Sequence, residues 1–453
     1  MDNPHPWSGE SWLGLIESLL DRLAGRMHVI QTFPERQRLA EEALSSLEAE
    51  GRVGSLQSAL ADPLRRQSFL TAFLSYDQIE PLLADPLVED IMINGTGPIF
   101  VHKAGQGAVK TGLHVDSEQA LRTFVKKLLV FGGRPRLEPI MDLELVDLRG
   151  RANIVQSPFG PQITLTRARP APWTILQLIE QQTISHRLAA QLWLYVEGMR
   201  IRPANLLIAG GSGAGKTTLM NALLSFIPRE DRLVTIEDTL ELNTSFLEHC
   251  SRLETTDDLS MASLVKNSLR MRPDRVLVGE VRGSEAQDLM TAMNIGKYCM
   301  GTLHASFARE TVLRLEHEPM NVPSILINLV DVFVILRRLE VNGKVRRVVA
   351  EIAETAGMER DIVLLSPVWT YDHMWREVVE SAPSSVFRDK LAAESGCTAA
   401  QIMKETSQRA EILARMQESG HFTDINTVTV FCQRYSEHPE EAIAELKSLK
   451  KKK

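Results

Sequence analysis

The sequence predicts an α/β fold class: a core of parallel strands covered by helices, a smaller mixed α/β unit before it, and helical segments at both ends. Three observations predict it. Beyond residue 172, apolar runs such as Asn205 to Ala209, Leu233 to Ile236 and Val276 to Val278 alternate with helical stretches, as parallel strands with crossover helices do. Between Leu82 and Arg167, short strand-like runs are broken by glycine turns. The two ends of the chain repeat apolar residues at helical offsets instead.

At 453 residues the chain suits roughly three domains of about 150 residues each. Its 44% hydrophobic and 24% charged residues are ordinary for a globular protein and exclude a disordered or fibrous class. A net charge of -7 argues against sequence-independent binding of nucleic acid, so nucleic acid is not an expected partner. The start, Met1 to Trp7, lacks the basic and then apolar stretch of a secretory signal, and no export is expected. Apolar runs such as Leu206 to Ala209 and Val332 to Leu336 fall far short of the about 20 residues that cross a bilayer as a helix, so membrane contact is expected to be peripheral. Cys250, Cys299, Cys397 and Cys432 form no Cys-x-x-Cys pair, which fits a reducing cytoplasm.

Residues 1–75 are predicted as a helical region, with Leu15, Ile16, Leu19, Leu20 and Leu23 on one face. The same stripe suits a packing face or a docking face. Residues 76–168 are predicted as the mixed α/β domain, with strands at Val88 to Asn94, Ile99 to His102 and Gln162 to Arg167. The run Ala168-Arg169-Pro170-Ala171-Pro172 interrupts regular structure, because proline lacks an N–H and restricts the residue before it, and it is read as the linker. Residues 169–370 form the predicted core domain. Residues 371–453, with Leu413, Met416, Val428 and Phe431 among their apolar positions, are predicted as a helical extension that closes on Lys450 to Lys453. That lysine tail suits either solvent or anionic lipid.

The chemistry concentrates in the core. Gly210-Gly211-Ser212-Gly213-Ala214-Gly215-Lys216-Thr217 matches the Gly-x-x-x-x-Gly-Lys-Ser/Thr phosphate loop in full, between an apolar strand and a helix beginning near Lys216. Glycines let the backbone curl so that N–H groups converge on phosphate oxygens, and the helix adds its positive end. Lys216 is expected to hold the β and γ phosphates and Thr217 to ligate Mg²⁺ through its hydroxyl, with Thr218 following in the same turn. ATP is expected rather than GTP, since no Asn-Lys-x-Asp or Thr-Lys-x-Asp element occurs. A Leu-Ser-Gly-Gly-Gln transporter signature is also missing.

Hydrolysis needs a carboxylate to orient water and groups that stabilise developing charge. Thr235-Ile236-Glu237-Asp238-Thr239-Leu240-Glu241 and Arg275-Val276-Leu277-Val278-Gly279-Glu280-Val281-Arg282-Gly283 each end an apolar strand in acid, where α/β sheets carry their ligands. Glu237 and Glu280 are therefore the candidates to share water orientation and metal contact, in an order that the sequence leaves open.

With Gly301-Thr302-Leu303-His304-Ala305 added, four motifs stand in one order: phosphate loop, Asp box, an atypical Walker B with Gly279 before its Glu, and His box. The run Ser268-Leu269-Arg270-Met271-Arg272-Pro273-Asp274-Arg275 precedes the third. In this the chain resembles the type II/type IV secretion ATPase superfamily, nearest its CpaF-like branch of Tad pilus assembly motors and more distantly FlaI and PilT. The resemblance covers roughly residues 80–370, including Leu83 to Pro86, Ile91 to Gly95 and Arg151 to Arg167. It implies a RecA-like P-loop core behind a sensor-like N-terminal domain.

It also implies a homo-hexameric ATPase using ATP and Mg²⁺ at the cytoplasmic side of the inner membrane, against a platform protein of a pilus or secretion machine. By the same resemblance Glu237, Glu280, Arg282 and His304 are catalytic, with His304 sensing the γ-phosphate and Glu280 joining Thr217 at the metal. Arg151, Arg167 and Arg169 become candidate fingers that reach nucleotide across domain or subunit boundaries, a role suited to the planar guanidinium fork. Each equally suits a surface ion pair. Two positions depart from the family: Lys297 stands in place of a histidine in Asn294-Ile295-Gly296-Lys297, and Ser306 in place of an asparagine. The tetracysteine zinc module of pilus extension ATPases is absent. A type IV secretion ATPase and a nucleotide-gated scaffold with little turnover are the alternatives.

Overall fold

The computed structural model describes residues 10–449 except 29–30, 104–105, 135, 146–147, 149, 168–171, 257, 342–343, 373 and 375–376. The expected linker, Arg169 and the lysine tail at 450–453 lie largely or wholly outside the described residues. The chain forms two compact units, residues 1–170 and 171–453.

In the first unit six strands form an antiparallel sheet: β1 (Val88–Asn94), β2 (Pro98–Lys103), β3 (Gly107–His114), β4 (Ile140–Leu145), β5 (Gly150–Val155) and β6 (Gln162–Arg167). Their order is β3-β2-β1-β6-β5-β4. Alternation turns Ile91, Ile93, Ile163 and Leu165 to a covered face. The helix Glu118–Phe131 and the N-terminal helices Glu10–Leu23, Phe33–Ala49 and Pro63–Leu74 share one core with that face. Leu15, Leu19, Leu20 and Leu23 are buried in it, so the leucine stripe is a packing face, and the helices up to residue 74 belong to the same compact unit as the sheet. Strand β3 escapes the sequence reading because it is an edge strand with no fully buried position.

The second unit holds a sheet of nine strands: β7 (Leu206–Gly210), β8 (Leu233–Glu237), β9 (Cys250–Glu254), β10 (Arg275–Val278), β11 (Tyr298–Leu303), β12 (Val332–Val341), β13 (Lys344–Glu359), β14 (Ile362–Asp372) and β15 (Glu377–Glu380). Their order is β15-β14-β13-β12-β7-β11-β10-β8-β9. From β12 to β9 every neighbouring pair is parallel, and β12 to β15 are antiparallel. The sheet thus runs on to Glu380, past residue 370 where the sequence places the start of the helical extension.

Every residue of β7 and β10 is buried, the mark of strands covered on both faces. Leu206, Ile208, Leu277, Val332 and Val334 join the core that includes the helix His186–Glu197 and the C-terminal helices. Their neighbours Leu207, Ala209, Val276, Phe333 and Ile335 join the opposite core, under the helices Met261–Ser268, Glu285–Asn294 and Ala308–Glu316. One alternation therefore builds two layers.

Polar contacts anchor the C-terminal helices. The buried Glu354 carboxylate accepts from the Tyr195 hydroxyl (2.7 Å), the Ser384 hydroxyl, and the N–H groups of Val386 (3.0 Å) and Phe387 (3.1 Å) at the start of the helix Val386–Ser395. Arg409, buried in the helix Ala399–Ser419, pairs with the buried Glu197 and lies over the rings of Trp193 (5.2 Å) and Tyr435 (5.3 Å). Removing one partner of such a pair leaves a buried charge alone, which costs about 3–5 kcal/mol. Arg409→Ala is accordingly expected to lower unfolding stability by roughly that amount in urea titrations. A midpoint equal to wild type would show that Glu197 is not held by this arginine.

Candidate functional site

All parallel strands of the second unit end on one edge of the sheet, and every core motif sits at that edge. The first is the glycine loop after β7. Gly213 and Gly215 lie in the left-handed region (φ 67° and 97°), which costs glycine nothing, and Gly215 caps the helix Lys216–Leu223. At Gly210 a Cβ would come within 2.8 Å of the Leu336 carbonyl oxygen, so that position admits no side chain. Helical bonding begins with the Leu219 N–H on the Gly215 carbonyl (2.9 Å), so the N–H groups just before it belong to the turn that a helix leaves without internal acceptors.

Lys216 is 9% exposed and its ammonium donates to the carbonyls of Gly210 (3.0 Å) and Gly211 (3.4 Å). Burial draws its pKa below the ordinary lysine value, against the pull of Glu280 and Glu241. The same nitrogen lies 3.4 Å from His304 Nδ1, at the end of β11. His304 Nε2 in turn lies 2.9 Å from one oxygen of Glu280, whose other oxygen accepts from Arg282 (2.7 Å). Arg282 also reaches Asp238 at 3.5 Å. Burial pushes the Glu280 pKa up, but Arg282, His304 and Lys216 outweigh it, and the group lies below its ordinary value.

Glu237 is the opposite case. It is 1% exposed at the end of β8, and burial raises its pKa from 4.5 to about 7 in spite of the N–H groups of Leu242 and Glu241 and the charge of Arg252. Its Oε1 accepts from Glu241 N–H (3.0 Å) and Leu242 N–H (2.9 Å), which curls the Asp-box loop back toward the glycine loop. That return brings the Glu241 carboxylate to the Thr217 hydroxyl (3.3 Å). Gly279 is required beside it, because a Cβ there would stand 2.9 Å from Glu237 Cγ.

The sequence-predicted residues sort as follows. Gly210 to Thr218, Glu280, Arg282 and His304 meet at the strand ends, with Glu237 one strand further out and connected through its loop. The carboxylate bonded to Thr217 is that of Glu241, while both oxygens of Glu280 face His304 and Arg282. Arg151 and Arg167 belong to the first unit: Arg151 stands opposite Glu144 on β4, and Arg167 donates to the Asp85 carbonyl (3.0 Å). Lys297 precedes β11 and His304 follows it, so that departure from the family lies at the other end of the strand. Ser306 donates its N–H to Glu310 (2.6 Å) at the start of the helix Ala308–Glu316.

Sequence reasoning gave no role to Glu241 or Arg347. Glu241 carried a signal, its place within the Asp box. Arg347, on β13, had none, yet its Nε donates to the Gly213 carbonyl at 2.8 Å.

A glycine loop joining a buried parallel strand to a helix, with acids and a histidine on the neighbouring strand ends, defines the class: an α/β protein of P-loop type. The chain belongs to the type II/IV secretion system protein family, whose model matches residues 146–414. It is 31% identical over 375 residues to an uncharacterized protein of Methanocaldococcus jannaschii, covering 78% of this chain and 67% of that one. It is 29% identical to the conjugal transfer protein TrbB of Rhizobium radiobacter, over 60% of this chain and 85% of TrbB. Among solved structures it is similar to the Legionella pneumophila ATPase DotB, with 19% identity and a TM-score of 0.46 over 74% of this chain and 87% of that chain. No helix among the described residues is long and apolar enough to cross a membrane.

Two outcomes follow from the Glu237 environment. Its folded pKa lies above the unfolded one, so the stability tied to its proton is complete below 4.5 and is lost as pH rises through about 7. Glu237→Gln keeps the accepting oxygen, and thermal melts should show it gaining at most about 3 kcal/mol on wild type between about pH 5 and about pH 8. Parallel pH profiles would contradict the assignment. Gly279→Ala should displace Glu237 and cost about 1–3 kcal/mol by denaturant unfolding.

Proposed function

We propose that this chain is an ATP-hydrolysing motor of a pilus-assembly or protein-secretion machine, in the CpaF-like branch of Tad pilus assembly ATPases. It works as a homo-hexamer on the cytoplasmic side of the inner membrane, peripheral to it and docked on a platform protein. The observation that carries the catalytic part is the unbroken polar run from the Gly210 carbonyl through Lys216, His304 and Glu280 to Arg282. It links the residue type that holds terminal phosphates to the residue type that orients water.

The residues present suit a magnesium nucleotide: a glycine cradle with open space above Gly211 and Gly213, a buried ammonium, and a threonine hydroxyl beside a carboxylate. Mg²⁺, when bound by Thr217 and Glu241, supplies charge neutralisation for the phosphates. Lys216 and the loop amides grip the phosphate tail. Glu280, kept ionised by Arg282 and His304, orients the attacking water, and Glu237 is assigned the supporting task of fixing the Asp-box loop. His304 touches both Lys216 and Glu280, so a change in the lysine's partners alters the field at the carboxylate. Arg151, Arg167 and Arg169 are proposed to bring guanidinium groups from the N-terminal unit of the same or a neighbouring chain. Movement of that unit is proposed to convert hydrolysis into mechanical work.

A second reading is a type IV secretion ATPase moving protein or DNA, favoured by the likeness to TrbB over most of that protein's length. The platform protein that co-purifies separates the two. Steady-state phosphate release tests the motor itself: Lys216→Ala and Glu280→Gln should each fall about a hundredfold or more below wild type. Wild-type turnover no faster than either variant would leave a nucleotide-gated scaffold in its place.

A further inference from the structure

The hairpin of β12 and β13 reaches beyond the glycine loop. Leu336 is the last residue of β12 paired with β7, opposite Gly210, and β12 continues to Val341 before the chain returns along β13. This overhanging arm carries Arg337, Arg338, Arg346 and Arg347, and no reading of the motifs gives it a task.

The faces of the arm are distinct. Leu336 lies 3.8 Å from the position of a Gly215 Cβ, so it covers the glycine loop. Side chains alternate along a strand, which puts Arg338 on that same face and Arg337 on the other. Arg337 indeed lies over the Phe307 ring at 4.4 Å, beyond the His box. Arg347 is paired directly opposite Arg338, and residues directly opposite share a face. Its Cδ lies 3.6 Å from the Gly215 Cβ position, and its Nε donates to the Gly213 carbonyl at 2.8 Å. Two arginines thus stand side by side on the face that looks onto the loop.

Like charges directly opposite on neighbouring strands are destabilising. Arg338 is exposed and has no hydrogen-bond or ion-pair partner among the described residues, so its guanidinium is open to an anion on the loop. The peptide unit between Gly213 and Ala214 is also held at both ends, its carbonyl by Arg347 and its N–H by the Gly211 carbonyl at 3.2 Å. Arg347 therefore acts on the curvature of the loop itself.

We propose that the β12–β13 arm is a further wall of the nucleotide site: Arg347 is a positioning residue that shapes the glycine loop through Gly213, and Arg338 binds a phosphate oxygen of the nucleotide held there. This rests on the reading of the loop as an ATP site.

Titration of the full chain with a fluorescent ATP analogue and Mg²⁺, alongside steady-state hydrolysis, tests both readings separately. Arg338→Ala should weaken binding about tenfold or more, as loss of a charge-assisted hydrogen bond does, and Arg338→Lys should recover most of it. Arg347→Ala should raise KM for ATP about tenfold while kcat stays within about twofold, whereas simple loss of folded protein lowers the apparent kcat and leaves KM alone. Arg346→Ala is the control, since alternation turns that side chain away from the face of Arg347 and it bonds Gln182, and it should bind as wild type does. If wild type binds, Lys216→Ala does not, and Arg338→Ala and Arg347→Ala both match wild type, the arm has no such role and the loop reading stands. If wild type itself does not bind, the loop reading fails and the arm proposal with it. Should Arg347→Ala fold poorly, Arg338→Ala, which removes an exposed side chain, decides.

Discussion

A lysine ammonium held among backbone carbonyls at the edge of a parallel sheet is the constraint on which the rest of this site depends. Lys216 is buried where a strand ends and a helix begins, and burial destabilises its charge. The carbonyls of Gly210 and Gly211, and beyond them His304 and Glu280, supply the compensation. Each of those groups is set by a different strand, so the site exists only because β7, β11 and β10 lie side by side.

Two carboxylates on this edge have environments that push them apart. Glu280 faces an arginine and a histidine and lies below its ordinary pKa, while Glu237 is enclosed and rises to about 7. Environments that separate two acids commonly separate their tasks as well. A group that holds two N–H donors from its own loop is a fixture of that loop, and Gly279 is the space it needs. The glycine that precedes Glu280 thus has a packing reason.

The flanking helices are joined to the two units by different means. The N-terminal helices complete an apolar core against the antiparallel sheet. The C-terminal helices add buried ion pairs and a fully engaged glutamate, Glu354, to apolar packing on one face of the large sheet. Such contacts are specific in direction, and they fix how the extension is seated on the core.

The sequence alone determined the α/β class, the glycine loop, the strand-end positions of Glu237 and Glu280, and buried strands such as β7, β8 and β10, because each depends on local periodicity or on residues next to one another. Edge strands such as β3 were missed, since a strand only half-covered on one face leaves no strong apolar signal. Tertiary structure decided the order of the site. The motifs run along the chain as loop, Glu237, Glu280, His304, but the strands lie in space as β7, β11, β10, β8, so His304 touches Lys216 and Glu237 stands farthest away. Strand order also selected Glu241 for Thr217 and brought Arg347 from a distant hairpin onto Gly213. Neighbour relations within a sheet are set by packing among segments remote in sequence, and no local pattern records them.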